Sequence, residues 1–233
     1  TLNIGYFWTQ MEKLPILYED KHLMLVNKPA GIAVERDRYR NPSVEGRIGD
    51  YFKAQKLPHN TIIGIAHRLD RPVSGVMLVA KKKSVLVQIN QQFEAGLIKK
   101  IYFAITENKP EKLKATLNHF LFKDVKNKKA VVYDKIAKSR LPCSLDYIYK
   151  GENVFGHLIE VHPHTGKFHQ IRAQLAFIGC PIIGDTKYGA KKAFAENEIG
   201  LHAFSLQFFH PVEQKEMIIQ APLLPAWEVN TEL

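Results

Sequence analysis

Asp70 stands two residues after Arg68 and one before Arg71, in a stretch that reads IAHRLDRPVSGVMLVAK over residues 65–81. A carboxylate set among guanidinium charges has its ionised form favoured. Such a group suits a permanently charged nucleophile or a base better than a general acid. His67 adds another titratable side chain, and Pro72 and Gly75 mark a tight connection. Proline lacks an N–H and biases the residue before it away from helix, and glycine opens turns closed to other residues. The run VMLVA at 76–80 has the length and valine content of a buried strand. The polar residues are therefore expected at the edge of a sheet, with side chains facing a cleft. The competing reading of the same residues is a turn carboxylate in a surface salt bridge.

A second constellation is HPHTGKFHQIRAQLAFIG at residues 162–179. His162, His164 and His169 raise the question of a metal. Their spacing is not that of a helical i, i+4 pair, and no cysteine or carboxylate stands among them, so no metal is expected. Ile171, Leu175 and Ile178 fall at i, i+4 and i+7, which makes one helix face core, and Gly179 ends the helix. Arg172 follows Ile171 and is expected to point away from that face, toward a cleft. A third segment, IKKIYFAIT at 98–106, is aromatic and β-favouring. Tyr102 within it reads, taken alone, as packing.

In combination these segments resemble a known family. HRLDRPVSGVMLVAK is similar to the central motif of the pseudouridine synthases that act on large-subunit rRNA and tRNA, the RluA family. The family's catalytic aspartate falls on Asp70. Val73 stands where the usual pattern has threonine, which removes a local turn hydrogen bond and leaves the chemistry untouched. Residues 98–104 match the family's KxYxA-like strand, which implies that Tyr102 stacks on the target base and helps proton transfer. TGKFHQIRAQL resembles the family's TGRTHQIRVHL, so Arg172 is implied as partner of the catalytic aspartate. Lys167 replaces an arginine there, keeping the charge without the bidentate fork, and Phe168 and Gln174 also depart from the commoner pattern. Asn27-Lys28-Pro29-Ala30-Gly31 resembles a VNKPAG loop, where Lys28 is expected to reach phosphate. Pro181-Ile182-Ile183-Gly184-Asp185 resembles a PIxGD turn, with Asp185 structural. Leu201-His202-Ala203 resembles an LHA segment in which Leu201 packs near the target base, and His210-Pro211 matches a later signature.

The resemblance runs from about residue 14 to residue 227, with its motifs in order. It implies an α+β fold: a mixed, largely antiparallel central sheet flanked by helices and loops, with a basic active-site cleft. It implies catalytic roles for Asp70, Tyr102 and Arg172. Substrate contacts are implied for Arg68, His67, Lys167, His169, Gln170, Leu201 and Lys28. No cofactor is expected, because moving uracil from N1 to C5 on its ribose involves neither redox change nor hydrolysis. The expected partner is RNA, with tRNA favoured over rRNA. The rival reading is a non-catalytic RNA-binding or RNA-chaperone protein on the same fold; it predicts loss of the aspartate or the arginine, and both are present.

Periodicity and punctuation give the elements that must hold these groups. A hairpin is expected over 16–18 and 23–26, turned at 19–21, and a helix over 43–55 behind a Ser43 cap. A second helix is expected from a Ser84 cap to Ala95, stopped by Gly96. Further strands are expected at 116–122, 130–133, 145–149 and 154–162, with the lysines at 126–129 on a solvated hairpin tip.

The 233 residues are 45% hydrophobic, enough for one sizeable core or two lobes around a cleft. A formal net charge of +10 favours a polyanionic partner, and supplies affinity without sequence information. No apolar run approaches the roughly 20 residues that span a bilayer. Cys143 and Cys180 are far apart, which fits a reduced, cytoplasmic setting. Residues 1–13 read as an irregular leader and 14–233 as the catalytic domain. The small N-terminal RNA-binding module of some family members is not expected, and a monomer is.

Overall fold

The structure, a computed structural model, describes residues 14–39, 41–223 and 227. The leader expected over residues 1–13 lies outside them. The described residues divide into two compact units, one formed by residues 14–98 and 205–221, the other by 99–204 with 222, 223 and 227.

The first unit opens with a hairpin in which β1 (Ile16–Glu19) pairs antiparallel with β2 (Leu23–Lys28). Asp20 makes the turn: its Oδ1 accepts the N–H groups of His22 and Leu23 at 2.7 and 2.6 Å, the local bonding that makes aspartate a turn residue. The two-residue strand β3 (Gly64–Ile65) and β2 both pair antiparallel with β4 (Ser74–Ala80). None of residues 23–26 and 76–80 is more than 1% exposed. Strands covered on both faces need no polar alternation, which is why both read as continuous apolar runs.

Helix α1 (Val44–Ala54) is capped by Ser43, whose Oγ accepts the N–H of Gly46 at 3.1 Å. Its Val44, Ile48 and Phe52 pack with Met24, Val26, Met77 and Val79. Helix α2 (Lys83–Glu94) starts before the expected Ser84 cap: Lys82 holds the cap position without a side-chain bond, and Val85 and Ile89 are the buried residues. Burial of those two side chains, rather than capping, sets where it begins. Gly96, at φ +68°, follows it in the left-handed conformation expected of a stop.

The second unit holds five antiparallel strands in the order β5 (Lys99–Thr106), β9 (His157–Pro163), β8 (Leu141–Glu152), β6 (Lys114–Asp124), β7 (Lys129–Tyr133). Helix α3 (Gln170–Phe177) packs on them through Ala173, which joins Leu121, Ala130, Val132, Cys143 and Tyr188 in one core cluster. Strand β10 (Leu201–Phe209) gives its first four residues to this unit and its last five to the first unit, where they pair with β11 (Glu216–Gln220). The α+β class and largely antiparallel sheet implied by the sequence are those of the structure. No helix among the described residues is long and apolar enough to cross a membrane.

After β10, His210 turns back to the first hairpin. Its Nε2–H donates to Asp20 Oδ2 at 2.8 Å, and its Nδ1 accepts the N–H groups of Val212 and Glu213. Tyr18 Oη also donates to Asp20 Oδ2. Burial pushes the Asp20 carboxyl up, but the N–H groups of Leu23 and His22, then His210 and Tyr18, outweigh it and leave it below the usual value. A carboxylate lowered on folding stabilises the fold above its unfolded value, about 3.9, and loses that contribution as pH falls through the folded value. Asp20→Asn should lower the urea midpoint at pH 7 and flatten its decline below about pH 4. Parallel wild-type and variant curves across that range would remove Asp20 from the acid response.

Candidate active site

Residues 66–73 connect β3 to β4. Leu69 and Val73, 6% and 2% exposed, anchor the loop in the core. Arg68 and Arg71 are exposed and Asp70 is half-buried. The Val73 N–H closes a turn onto the Asp70 carbonyl at 3.0 Å. The loop is laced to residues 29–31: the Gly31 N–H donates to the Arg71 carbonyl at 2.9 Å, and Arg71 Nε donates to the Gly31 carbonyl at 2.8 Å. Gly31 sits at φ +85°, a conformation that favours glycine.

Lys28 lies inside this lacing and is 0% exposed. Its Nζ donates to the carbonyls of Pro29, Arg71 and Val73 at 2.9, 3.2 and 2.7 Å. An ammonium has three hydrogens, and these three carbonyls match them. The expectation that Lys28 reaches phosphate is therefore corrected: it braces the Asp70 loop from within.

His67 is also committed. Its Nε2 accepts the N–H of Leu78 at 3.0 Å, which fixes that nitrogen as unprotonated, and its ring packs 5.2 Å from that of Phe93. The imidazole takes over as acceptor to β4 just beyond the last β3 pair, Ile65 with Val79. Arg68 is the exposed member of the motif, held to Glu35 Oε2 at 3.0 Å with both side chains more than half exposed. Such surface pairs contribute about 0–1 kcal/mol, so this one is easily exchanged for another anion.

In the second unit, α3 is less amphipathic than its apolar spacing implies. All residues from Gln170 to Leu175 are buried. The buried glutamines are bonded to the protein through their amide groups. Gln170 Oε1 accepts Thr165 Oγ1 and the Lys167 N–H, and its Nε2 donates to the Ser144 carbonyl. Gln174 Nε2 donates to the Leu117 carbonyl and to His119 Nδ1. Gln170 thus belongs to the helix start, and its expected substrate contact is corrected.

Arg172 is 5% exposed. Its Nε and one Nη donate to Asp185 Oδ2 and Oδ1 at 2.7 and 2.8 Å. The Tyr188 ring lies 5.1 Å from the guanidinium carbon. Gly184, at φ +78°, aims the turn: a Cβ there would stand 2.8 Å from the Glu198 carbonyl oxygen. Tyr188 Oη accepts the Ala130 N–H and is hydrogen-bonded to His169 Nδ1 at 2.9 Å. His169, at φ +53°, stacks on Phe168 with ring centroids 3.8 Å apart. Its bonds here hold Tyr188 beside Arg172. Asp185, read from sequence as a structural turn residue, and Tyr188, not singled out at all, are what fix Arg172. The available signal was a Gly-Asp turn and a tyrosine within a short segment that is otherwise largely apolar.

Tyr102 is half-buried in β5, opposite Val161 of β9. Lys167 is exposed. Leu201, expected beside the target base, is a core side chain, 3% exposed at the start of β10. His162 and His164 bond Glu160 and Asp146 at 2.7 and 2.9 Å. One close group of three potential metal ligands occurs among the described residues, Asp20, His210 and Glu213, and both His210 nitrogens are already engaged there.

The family model described as RNA pseudouridylate synthase matches residues 22–177. The chain belongs to the RNA pseudouridylate synthase family. It is 35% identical over 221 residues to the ribosomal large subunit pseudouridine synthase C of Buchnera aphidicola subsp. Baizongia pistaciae, covering 89% of this chain and 66% of that protein. It is 30% identical over 237 residues to the tRNA pseudouridine synthase C of Vibrio cholerae, covering 92% and 93% of the two chains. The chain thus spans about two thirds of the Buchnera relative's length. The solved structure of human RNA pseudouridylate synthase domain containing 4 shares the fold, with a TM-score of 0.75 at 23% identity, over 91% of this chain and 90% of that one.

Two measurements probe this scaffold. Asp185→Ala leaves a buried guanidinium without its carboxylate and should cost about 3–5 kcal/mol in urea unfolding; a loss under about 1 kcal/mol would mean the pair is not what secures Arg172. Lys28→Met strands three carbonyls and should destabilise by at least about 1–3 kcal/mol. The same variant should leave the salt dependence of RNA binding unchanged, whereas a phosphate contact at Lys28 would make it shallower.

Proposed function

We propose that this protein is an RNA pseudouridine synthase, with Asp70 as the catalytic carboxylate. The observation that carries the reading is that the family match over residues 22–177 takes in Asp70, Tyr102 and Arg172. The reaction breaks the bond from ribose C1′ to N1 and forms one from C1′ to C5; N1 gains a proton and C5 loses one. It needs a positioned carboxylate and a uridine lifted from its stack. Extrusion costs a few kcal/mol, and stacking on an aromatic returns about 1–3 kcal/mol per base.

In this reading Asp70 attacks at C1′ or at C6, or removes a ribose proton on a glycal route; all three begin from the same ionised side chain. Arg172 is its charge partner, and Tyr102 stacks on the extruded uracil. Arg68, on its exposed and weakly held perch, fills the space that the base vacates. No cofactor enters the scheme. Relatives named for rRNA and for tRNA both support an RNA substrate; tRNA is the first target to assay, with large-subunit rRNA beside it. Asp70→Asn should abolish tritium release from RNA labelled at uridine C5 while RNA binding stays within a few-fold of wild type. Release at the wild-type rate would refute the assignment.

A further inference from the structure

Lys100 lies two residues before Tyr102 in β5, so strand alternation puts both side chains on one face. Tyr102 pairs with Val161, which sets Lys100 abreast of the end of β9 and the loop that follows it. The ammonium reaches that loop: Lys100 Nζ is 3.7 Å from where a Cβ on Gly166 would stand. Lys167, the next residue, is exposed. Burial holds the Lys100 ammonium below its usual value. Among the described residues, no carboxylate or carbonyl is bonded to it.

Lys28, Lys81 and Arg172, which are buried, each have acceptors built around them. Lys100 is half-buried and, unlike the half-buried Arg47 of helix α1, shares a strand face with Tyr102. An ammonium partly stripped of water, with no acceptor from its own chain, gains most from a full negative charge. A uracil carbonyl offers only a partial one. RNA presents a full one at every nucleotide, on its backbone.

We propose that Lys100, with Lys167 next to it on the 164–169 loop, binds a backbone phosphate of the RNA beside the nucleotide that Tyr102 receives. The inference rests on the pseudouridine-synthase reading and adds a positioning contact to it. A phosphate contact sets the register of the strand without reading its sequence. It places the uridine at Tyr102 whatever bases flank it.

The test begins with wild-type tritium release from tRNA and large-subunit rRNA transcripts labelled at uridine C5. No release from either would sink the underlying reading and this one with it. On the RNA that is converted, Lys100→Met should weaken binding at low salt by about 10-fold or more. It should also reduce the slope of log K against log salt by about 0.7–1. KM should rise more than kcat falls. The thermal midpoint should hold or rise, because methionine fills similar volume without an unanswered charge. Lys100→Arg keeps the charge and should keep the slope. An active wild type with an unchanged slope in Lys100→Met overturns the assignment of Lys100 alone. Weaker binding at constant slope would move the contact to a base and overturn it too. A marked drop in thermal midpoint would give the ammonium a structural role in its place.

Discussion

A cation taken out of water obliges the chain around it to supply acceptors, and much of this protein's local architecture answers that demand. Lys28 has no exposed surface and draws in three carbonyls from two loops. Lys81 is bound by Glu19 and by the Asp20 carbonyl at the turn of the first hairpin. Arg172 is answered by a carboxylate that is itself 1% exposed. The solutions differ because the donors differ. An ammonium is a compact charge with three divergent hydrogens, and converging carbonyls suit it. A guanidinium is a planar fork, and a carboxylate meets two of its N–H groups at once.

Several side chains with catalytic-looking chemistry serve the same structural purpose. His67 accepts a strand N–H, Gln170 gathers the start of α3, and His169 fixes a tyrosine beside Arg172. Each replaces a backbone partner where regular pairing has run out. β3 is two residues long, and α3 is preceded by an irregular loop and a left-handed residue. Groups that act on a substrate must be held by neighbours whose own rotamers are locked. The polar residues next to Asp70 and Arg172 in sequence lock the loop and the helix that carry them. The groups left facing solvent include Arg68, Arg71, His164 and Lys167.

This division was only partly legible in the sequence. The hairpin at 16–28, helix α1 with its Ser43 cap, and the strand at Tyr102 follow from periodicity and punctuation, and the structure has them close to the expected bounds. Arg172 was expected to turn away from the core because Ile171 and Leu175 mark one apolar face. Periodicity reports which residues are apolar, not whether a polar one is buried with a partner. The partner, Asp185, is thirteen residues on, across a turn. Lys28 was misread because its acceptors are distant in sequence. A lysine in a polar loop looks solvated until the carbonyls at 71 and 73, more than forty residues away, are seen to converge on it. Long-range acceptors leave no local mark on composition.

The Lys28 arrangement also accounts for how the 66–73 loop is made firm. The carbonyls of Asp70, Arg71 and Val73 are all taken up by protein donors: the Val73 N–H, Lys28 with the Gly31 N–H, and Lys28 again. With those dipoles committed internally, the main chain of the loop is held at three successive points. Arg71 adds one bond to Gly31 and Arg68 one exchangeable surface pair. The main chain on both sides of residue 70 is thus fastened by a lysine and a glycine from outside the 66–73 loop. Three converging carbonyls and one ammonium fix a loop that has no regular strand partner of its own.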